Sequence, residues 1–318
     1  MIKVGIIGCE GLGATELVRI LINHPDVELK WVTDAACDFT RLDHVVPGIV
    51  GESDLMVNTG GTLEDVDLVF LCCSRDMATA WLRNTELPEG MKVIDMSGCH
   101  NMDCGADSAW TYGMGEMLRR VLVHEAQQVT VPGPAAVASL LTLMPMARNL
   151  MLNSPLSLQV SAGSAVLRAA GITAGSEVPA VWVEEQKREL CHALTQCQSS
   201  FDQPVTLTVT PMDTKRLLTV EARFKSGIDL ETLKSLYGEY YDDHNFVFMM
   251  DRPIVPADVE NTNKCLLRLS KEEGSGEVTV VGVMDGLLKA GVGNAVHAMN
   301  LMFGLYECIG LTLKASGC

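Results

Sequence analysis

Three places in the 318-residue sequence gather residue types that could do chemistry. The first is Gly8-Cys9-Glu10-Gly11-Leu12-Gly13-Ala14. Glycines at such a turn let backbone N–H groups approach an anion at a helix N-terminus, as a dinucleotide's pyrophosphate requires, although the same glycines could merely tighten a corner. Ala14 is small enough for close helix-to-strand packing, Leu12 opens the helix, and Glu10 would repel a phosphate unless it turned to solvent. Asp34, further on, is placed to accept hydrogen bonds from an adenosine ribose, and its charge would repel a 2′-phosphate. NAD is therefore favoured over NADP, although Arg41 could offset that charge, and an aspartate ending a strand suits a plain turn equally well.

The second place is Ser97-Gly98-Cys99-His100. A thiol beside an imidazole could become a thiolate nucleophile. Neighbours in an extended chain point to opposite sides, so a direct thiol–imidazole bond is not expected, and the alternative is an ordinary loop thiol. The third is Lys215-Arg216, which could bind an anion or simply be solvated. Among eleven cysteines no pair has C-x-x-C spacing, and the closest approach is Cys99 and Cys104 with His100 between them; no metal is expected.

The elements that must position these residues follow from hydrophobic pattern. Ile2 to Gly8 is a short apolar run suited to a strand buried on both faces, and Leu17, Ile20 and Leu21 recur at helical spacing after the glycine turn. Val27 to Thr33, Asp65 to Cys73 and Met91 to Met96 are further strands, which places Asp34, Cys73, Ser97 and Gly98 at strand ends as cofactor-binding candidates. This is a doubly wound parallel sheet of the Rossmann type. A short strand near Val129 to Val131 runs through Pro132-Gly133-Pro134 into an apolar helix, Ala135 to Leu150, and we place the domain boundary at 148. From 149 to 284 the texture is α+β: strands at Leu156 to Val160, Val205 to Thr210, Leu217 to Phe224 and Glu277 to Val283 are separated by helices at Val183 to Gln196 and Leu230 to Tyr241. Lys271 to Gly276 is the most loop-like stretch, and Gly293 to Leu305 is a final apolar helix.

Composition excludes several classes. A formal charge of −16 works against nucleic acid and anionic membranes, and no apolar run is long enough to span a bilayer. The opening residues go straight into a strand without the features of a secretion signal, and the cysteines read as reduced thiols, so a cytoplasmic protein starting at or near Met1 is expected.

The stretch from Met284 to Leu305 carries Asp285, Leu287, Lys289, Gly293, Ala295, Val296 and Asn300 to Leu305. It resembles the terminal signature of N-acetyl-gamma-glutamyl-phosphate reductases, in the semialdehyde dehydrogenase superfamily. Val4 to Leu21, Tyr112 to Met117 and Thr210 to Asp213 match in the same order, so the resemblance covers nearly the whole chain. It implies a nucleotide domain, 1–148, to which 285–318 returns; a substrate and dimerisation domain, 149–284; and a homodimer or homotetramer acting on a small molecule in amino-acid metabolism. It also implies that Asn294 approaches the nicotinamide. The family's chemistry is reductive dephosphorylation, in which a cysteine thiolate attacks an acyl phosphate, NADPH reduces the thioester, and a histidine moves protons. At the family's Asn-Pro-Gly-Cys turn this sequence reads Val131-Pro132-Gly133-Pro134, with proline where the thiolate belongs and Gly133 and Pro134 left as substrate-side candidates. The segment that supplies the histidine falls near Ala180 to Glu185, which contains none. The expectation is an oxidoreductase of altered chemistry without classical thioester turnover; the alternative is a non-catalytic paralogue binding a nucleotide or an amino-acid derivative.

Overall fold

The computed structural model describes all residues except Glu10, Asp38, Thr59, Gly60, Ala106, Ala174 and 316–318. The chain divides into two compact units, Met1–Pro132 with Gly291–Thr312, and Gly133–Ala290 with Leu313–Cys318.

In the first unit the order is β1 (Ile2–Ile7), α1 (Leu12–Ile22), β2 (Val27–Thr33), a one-turn α2 (Leu42–Val45), β3 (Leu68–Leu71), α3 (Arg75–Asn84), β4 (Lys92–Asp95), β5 (Trp110–Tyr112), α4 (Gly115–His124) and β6 (Gln128–Thr130). The strands form one sheet in the order β2-β1-β3-β4-β6-β5, with every pair parallel. All four residues of β3 are buried, which is why its sequence, LVFL, shows no alternation: neither face meets water. Because β2 and β3 flank β1, the winding reverses between β1 and β3, and that reversal opens a crevice at the carboxyl ends of the strands. Gly8, Asp34, Cys73 and Ser97 all follow strands at that edge.

The second unit opens with α5 (Pro134–Arg148) and continues with β7 (Leu156–Gly163), α6 (Ser164–Ala169), α7 (Ala180–Cys197), β8 (Val205–Met212), β9 (Leu217–Lys225), α8 (Leu230–Tyr241), β10 (Val247–Met249), β11 (Cys265–Lys271) and β12 (Glu277–Asp285). Its sheet runs β10-β11-β12-β9-β7-β8 and is mixed, with β10 parallel to β11, β7 parallel to β8, and the remaining pairs antiparallel. Lys271 to Gly276 includes the turn between β11 and β12. The chain also forms β11, a strand beyond those expected from the sequence pattern.

The boundary falls at Pro132 rather than 148, because α5 packs on β7, β9, β12, α7 and α8. Every residue from Ala135 to Ala147 is buried, and a helix that is apolar all round carries no stripe to show which sheet it joins. Pro145 sits inside this helix and deprives the Leu141 carbonyl of its usual partner. The Tyr241 hydroxyl donates to that carbonyl at 2.6 Å, and the Tyr237 hydroxyl donates to Thr142 O at 2.7 Å. Two tyrosines of α8 thereby satisfy the backbone around the proline.

The last helix, α9 (Gly293–Met302), belongs to the first unit and packs on α4. Their approach is close enough that a Cβ on Gly115 would run into the His297 ring. Among the described residues no helix is long and apolar enough to cross a membrane.

Candidate functional site

The glycine turn joins β1 to α1. Gly8 has φ +89°, and a Cβ there would lie 2.7 Å from the Cys72 carbonyl oxygen, so both backbone shape and space require glycine. Gly11 caps α1 at φ +95° without any side-chain cap, and no acidic residue stands in the first turn. Among the described residues, a Cβ built on Gly11 or on Gly13 meets nothing within 4 Å. The start of α1 therefore has room beside its glycines at the positive end of a helix, an arrangement that fits a pyrophosphate. Leu12 begins the helix half-buried, Ala14 is buried, and Glu10 lies outside the described residues.

Asp34 closes against this turn. Its Oδ2 accepts the Cys9 N–H at 2.6 Å and its Oδ1 accepts the Ala36 N–H at 2.9 Å, so the carboxylate is buried as part of the turn itself. The Cys9 and Cys37 sulfurs lie 3.6 Å apart beside it, and burial first, then Cys37 and Asp34, pushes the Cys9 thiol far up. Arg41 does not supply the charge that could offset Asp34. Its Nε and Nη2 donate to the two Asp43 oxygens at 2.9 and 2.8 Å, and Asp54 takes Nη1 at 3.0 Å.

Cys73 follows β3, half-buried, with its thiol pushed up to about 11 by burial, then by the nearby charges of Asp95, Cys99 and Asp34. Beyond β4 the chain does not run extended: Gly98 adopts φ +73° and turns the segment back on the end of the strand. The expectation that Cys99 and His100 point apart is corrected here, because that rule holds only in a strand. Cys99 Sγ lies 2.9 Å from His100 Nδ1, and both contact Asp95 Oδ2, at 3.3 and 3.4 Å. Ser97 donates its N–H and hydroxyl to Asp95 Oδ1 at 2.8 and 2.6 Å. The His100 ring stacks on Trp110 at 3.9 Å and 11°. Burial alone would raise the Asp95 carboxyl, but hydrogen bonds from His100, Ser97 and Cys99 outweigh it and hold its pKa below the ordinary value. Burial, opposed by the Ser97 hydrogen bond and reinforced by the Asp95 charge, pushes the Cys99 thiol up to about 11.

In the second unit Gly133 is the N-cap of α5, and Pro134 occupies the first turn, where a missing N–H costs nothing. Gly133 N–H donates to Glu189 Oε1 at 2.8 Å; Ala135 and Ala136 N–H donate to Gln186 Oε1 at 3.0 and 3.3 Å. The donors that a helix start ordinarily leaves open are thus taken by two buried side chains of α7. Arg216 is no open anion binder either. Its Nε donates to Asp285 Oδ2 at 2.7 Å and its Nη2 to Oδ1 at 3.4 Å, Asp285 being fully buried; Lys215 is exposed. Asn294 is buried near the start of α9 in the first unit.

The sequence reading missed Asp95, Gln186 and Glu189. Asp95 ends an apolar strand at the ligand-bearing edge of the sheet, a signal that was available. Gln186 and Glu189 follow the segment Ala180 to Glu185, three residues apart on one helix face, and nothing local ties them to a turn about fifty residues earlier.

Family models place both units. Residues 3–124 match the semialdehyde dehydrogenase NAD binding domain, and 135–286 match the semialdehyde dehydrogenase dimerisation domain. The chain is 34% identical to an N-acetyl-gamma-glutamyl-phosphate reductase of Parabacteroides distasonis and 33% identical to one of Phocaeicola vulgatus, with 99% of each chain covered. Among solved structures, aspartate semialdehyde dehydrogenase II of Vibrio cholerae superimposes with a TM-score of 0.73 at 11% identity, over 96% of this chain and 99% of that one. An aspartate semialdehyde dehydrogenase of Candida albicans, determined with NADP, gives 0.67 at 11% identity over 95% of this chain and 99% of its own. The match of both domain models and the full-length identity to these reductases lead to one conclusion: the chain belongs to the semialdehyde dehydrogenase family.

Proposed function

We propose that this protein is a cytoplasmic, homo-oligomeric, NAD-preferring member of the family that lacks the thioester step of an N-acetyl-gamma-glutamyl-phosphate reductase and directs hydride to a carbonyl or imine without a covalent intermediate. The observation that carries the reading is the start of α5. By the sequence resemblance proline stands where the family's nucleophile belongs, and the surrounding backbone donors bind Gln186 and Glu189. A thioester route needs a sulfur there and donors for the oxyanion that forms on attack; this helix start offers neither. The reading does not enlist Cys99, which lies 3.3 Å from the buried Asp95 carboxylate and whose thiol burial pushes up to about 11.

The open glycine turn at α1 supports dinucleotide binding, with Gly11, Gly13 and Ala14 around the pyrophosphate and Asp34 near the adenosine ribose. A bound nicotinamide supplies the hydride; the chain's part is to bind and orient it beside the carbonyl. The preference for NAD rests on Asp34 lying near the turn while Arg41 is committed to Asp43 and Asp54. Homo-oligomerisation rests on the second unit's match to a dimerisation domain.

The test is twofold. Calorimetry should show NAD binding more tightly than NADP, and N-acetyl-gamma-glutamyl phosphate with NADPH should give no oxidation of the cofactor. Enzyme-like turnover of the acyl phosphate overturns the reading. A non-catalytic paralogue, which the filled α5 start also favours, is the right account if NAD binds but no aldehyde, ketone or imine in a panel oxidises NADH.

A further inference from the structure

The carboxyl end of β4 holds a cluster that the glycine turn and α5 do not explain. Three donor atoms of three kinds converge on one point: Asp95 Oδ2, Cys99 Sγ and His100 Nδ1, with edges of 2.9, 3.3 and 3.4 Å. We propose that these side chains form a three-ligand site for a borderline-soft divalent cation, zinc foremost, with a fourth coordination position left for water or a substrate oxygen.

The alternative is a nucleophile–base–carboxylate relay, and the geometry distinguishes the two. In a relay the imidazole stands between its partners, with one ring nitrogen on the nucleophile and the other on the carboxylate. Here Cys99 and Asp95 both face the same nitrogen, Nδ1. The donors are arranged as a chelate. With metal–ligand lengths of about 2.0–2.3 Å, the edges of a tetrahedral face should be about 3.3–3.6 Å. Two of the observed edges are at or near that range, and the third requires Cys99 and His100 to part by about half an ångström.

The supports beyond the donors match what a metal site needs. Asp95 is fully buried, and its second oxygen is fixed by both Ser97 donors, so that Oδ2 is held towards the cluster. Trp110 fixes the plane of the imidazole by stacking. Cys99 and His100 are only half-buried, which leaves an approach for an ion. A carboxylate, a thiolate and a neutral imidazole carry two negative charges and balance a divalent cation, with one proton released from the thiol on binding. Mixed sulfur, nitrogen and oxygen donors select zinc over magnesium or calcium, and three protein ligands with an open position are the pattern of catalytic rather than structural zinc. The expectation of no metal relied on C-x-x-C spacing; the donors here come instead as Asp-x-x-x-Cys-His.

The site stands on its own geometry. Its use as a Lewis acid that polarises a carbonyl rests on the hydride-transfer reading above. The experiment is cobalt titration of the full chain after chelation and dialysis. One equivalent should produce a thiolate-to-cobalt charge-transfer band together with the visible bands of a four-coordinate ion, and zinc should bleach both. Cys99→Ser should remove the charge-transfer band, and Ser97→Ala should weaken binding about 10- to 100-fold with the spectrum kept. Cys37→Ser should leave the spectrum intact and guards against binding at the Cys9–Asp34–Cys37 cluster. Absence of the spectrum, its loss in Cys37→Ser, or its persistence in Cys99→Ser overturns the metal site whether or not NAD binds. If the cobalt site forms and the protein fails to bind NAD, only the hydride-transfer reading falls.

Discussion

The two units treat the same physical opportunity in opposite ways. Each contains a helix that starts at a glycine turn and presents backbone donors at the positive end of its dipole. At α1 no side chain among the described residues caps the helix start, and there is room beside Gly11 and Gly13. At α5 they are bonded to Gln186 and Glu189, and proline removes one of them outright. The same contrast extends to side chains, since Arg216 in the second unit is matched to a buried carboxylate of its own chain. A helix start is a ligand site only where the protein leaves it unanswered. Here the start of α1 has no side-chain cap, while the start of α5 is capped by two side chains of its own unit.

The comparison can be broken first at Arg216. Asp285 accepts from Arg216, Asn261 N–H, Leu287 N–H and Leu288 N–H, so Asp285→Ala leaves a guanidinium and several backbone donors without their acceptor. The expected loss is about 3–5 kcal/mol in urea unfolding. A loss below about 1 kcal/mol would mean that Arg216 is free to serve a ligand after all. Gln186→Ala comes next. It exposes the Ala135 and Ala136 donors and should cost about 2 kcal/mol. Millimolar sulfate should then raise the melting temperature of the variant more than that of the parent, since the freed terminus can accept an anion. An equal response in both proteins would show that the side chain was not filling an anion site.

Much of this was legible in the sequence where the signal is local. Val27–Thr33 and Leu230–Tyr241 were read to the residue, because alternation and helical spacing report directly on which face is buried. Leu266 and Leu267 of β11 are buried, yet the apolar stretch CLLRLS is too short to announce a strand by pattern alone. Cys99 and His100 were recognised as a pair, but their geometry depends on Gly98 taking a positive φ, which a residue string does not state. The role of Gln186 depends on a contact with a turn distant in sequence. Long-range pairing of this kind is set by packing, so the residue type at Pro134 is legible in the sequence while the contact of Gln186 and Glu189 with the same helix start is not.

Gly13→Ala sharpens the comparison from the other side. A methyl group there meets no protein atom, so the substitution should be neutral or stabilise α1 by about 0.5 kcal/mol. It should nonetheless weaken NAD binding at least tenfold in calorimetry, because the methyl takes the space the pyrophosphate would use. Unchanged affinity would remove the glycine turn from the nucleotide site.

The smallest expected effect concerns the return of α9 to the first unit. His24 Nε2 pairs with Asn300 Oδ1 at 3.1 Å, and the Asp26 N–H donates to His24 Nδ1 at 3.3 Å, so the neutral imidazole is the form the fold accepts. Burial lowers its pKa, against smaller opposing contributions from Asn300, Asp26 and Ile309. With the folded pKa below the unfolded value of about 6.5, the unfolded chain binds the proton first. Stability from this group is therefore complete well above the unfolded pKa and declines as the pH falls through it towards the folded value. His24→Gln should flatten that part of the urea-midpoint profile between pH 7 and 5, whereas the exchange protection of the Ala135 and Ala136 amides at the start of α5 should be the same in variant and parent at each pH. A profile unaltered by the substitution would show that His24 is not what ties α9 to proton uptake.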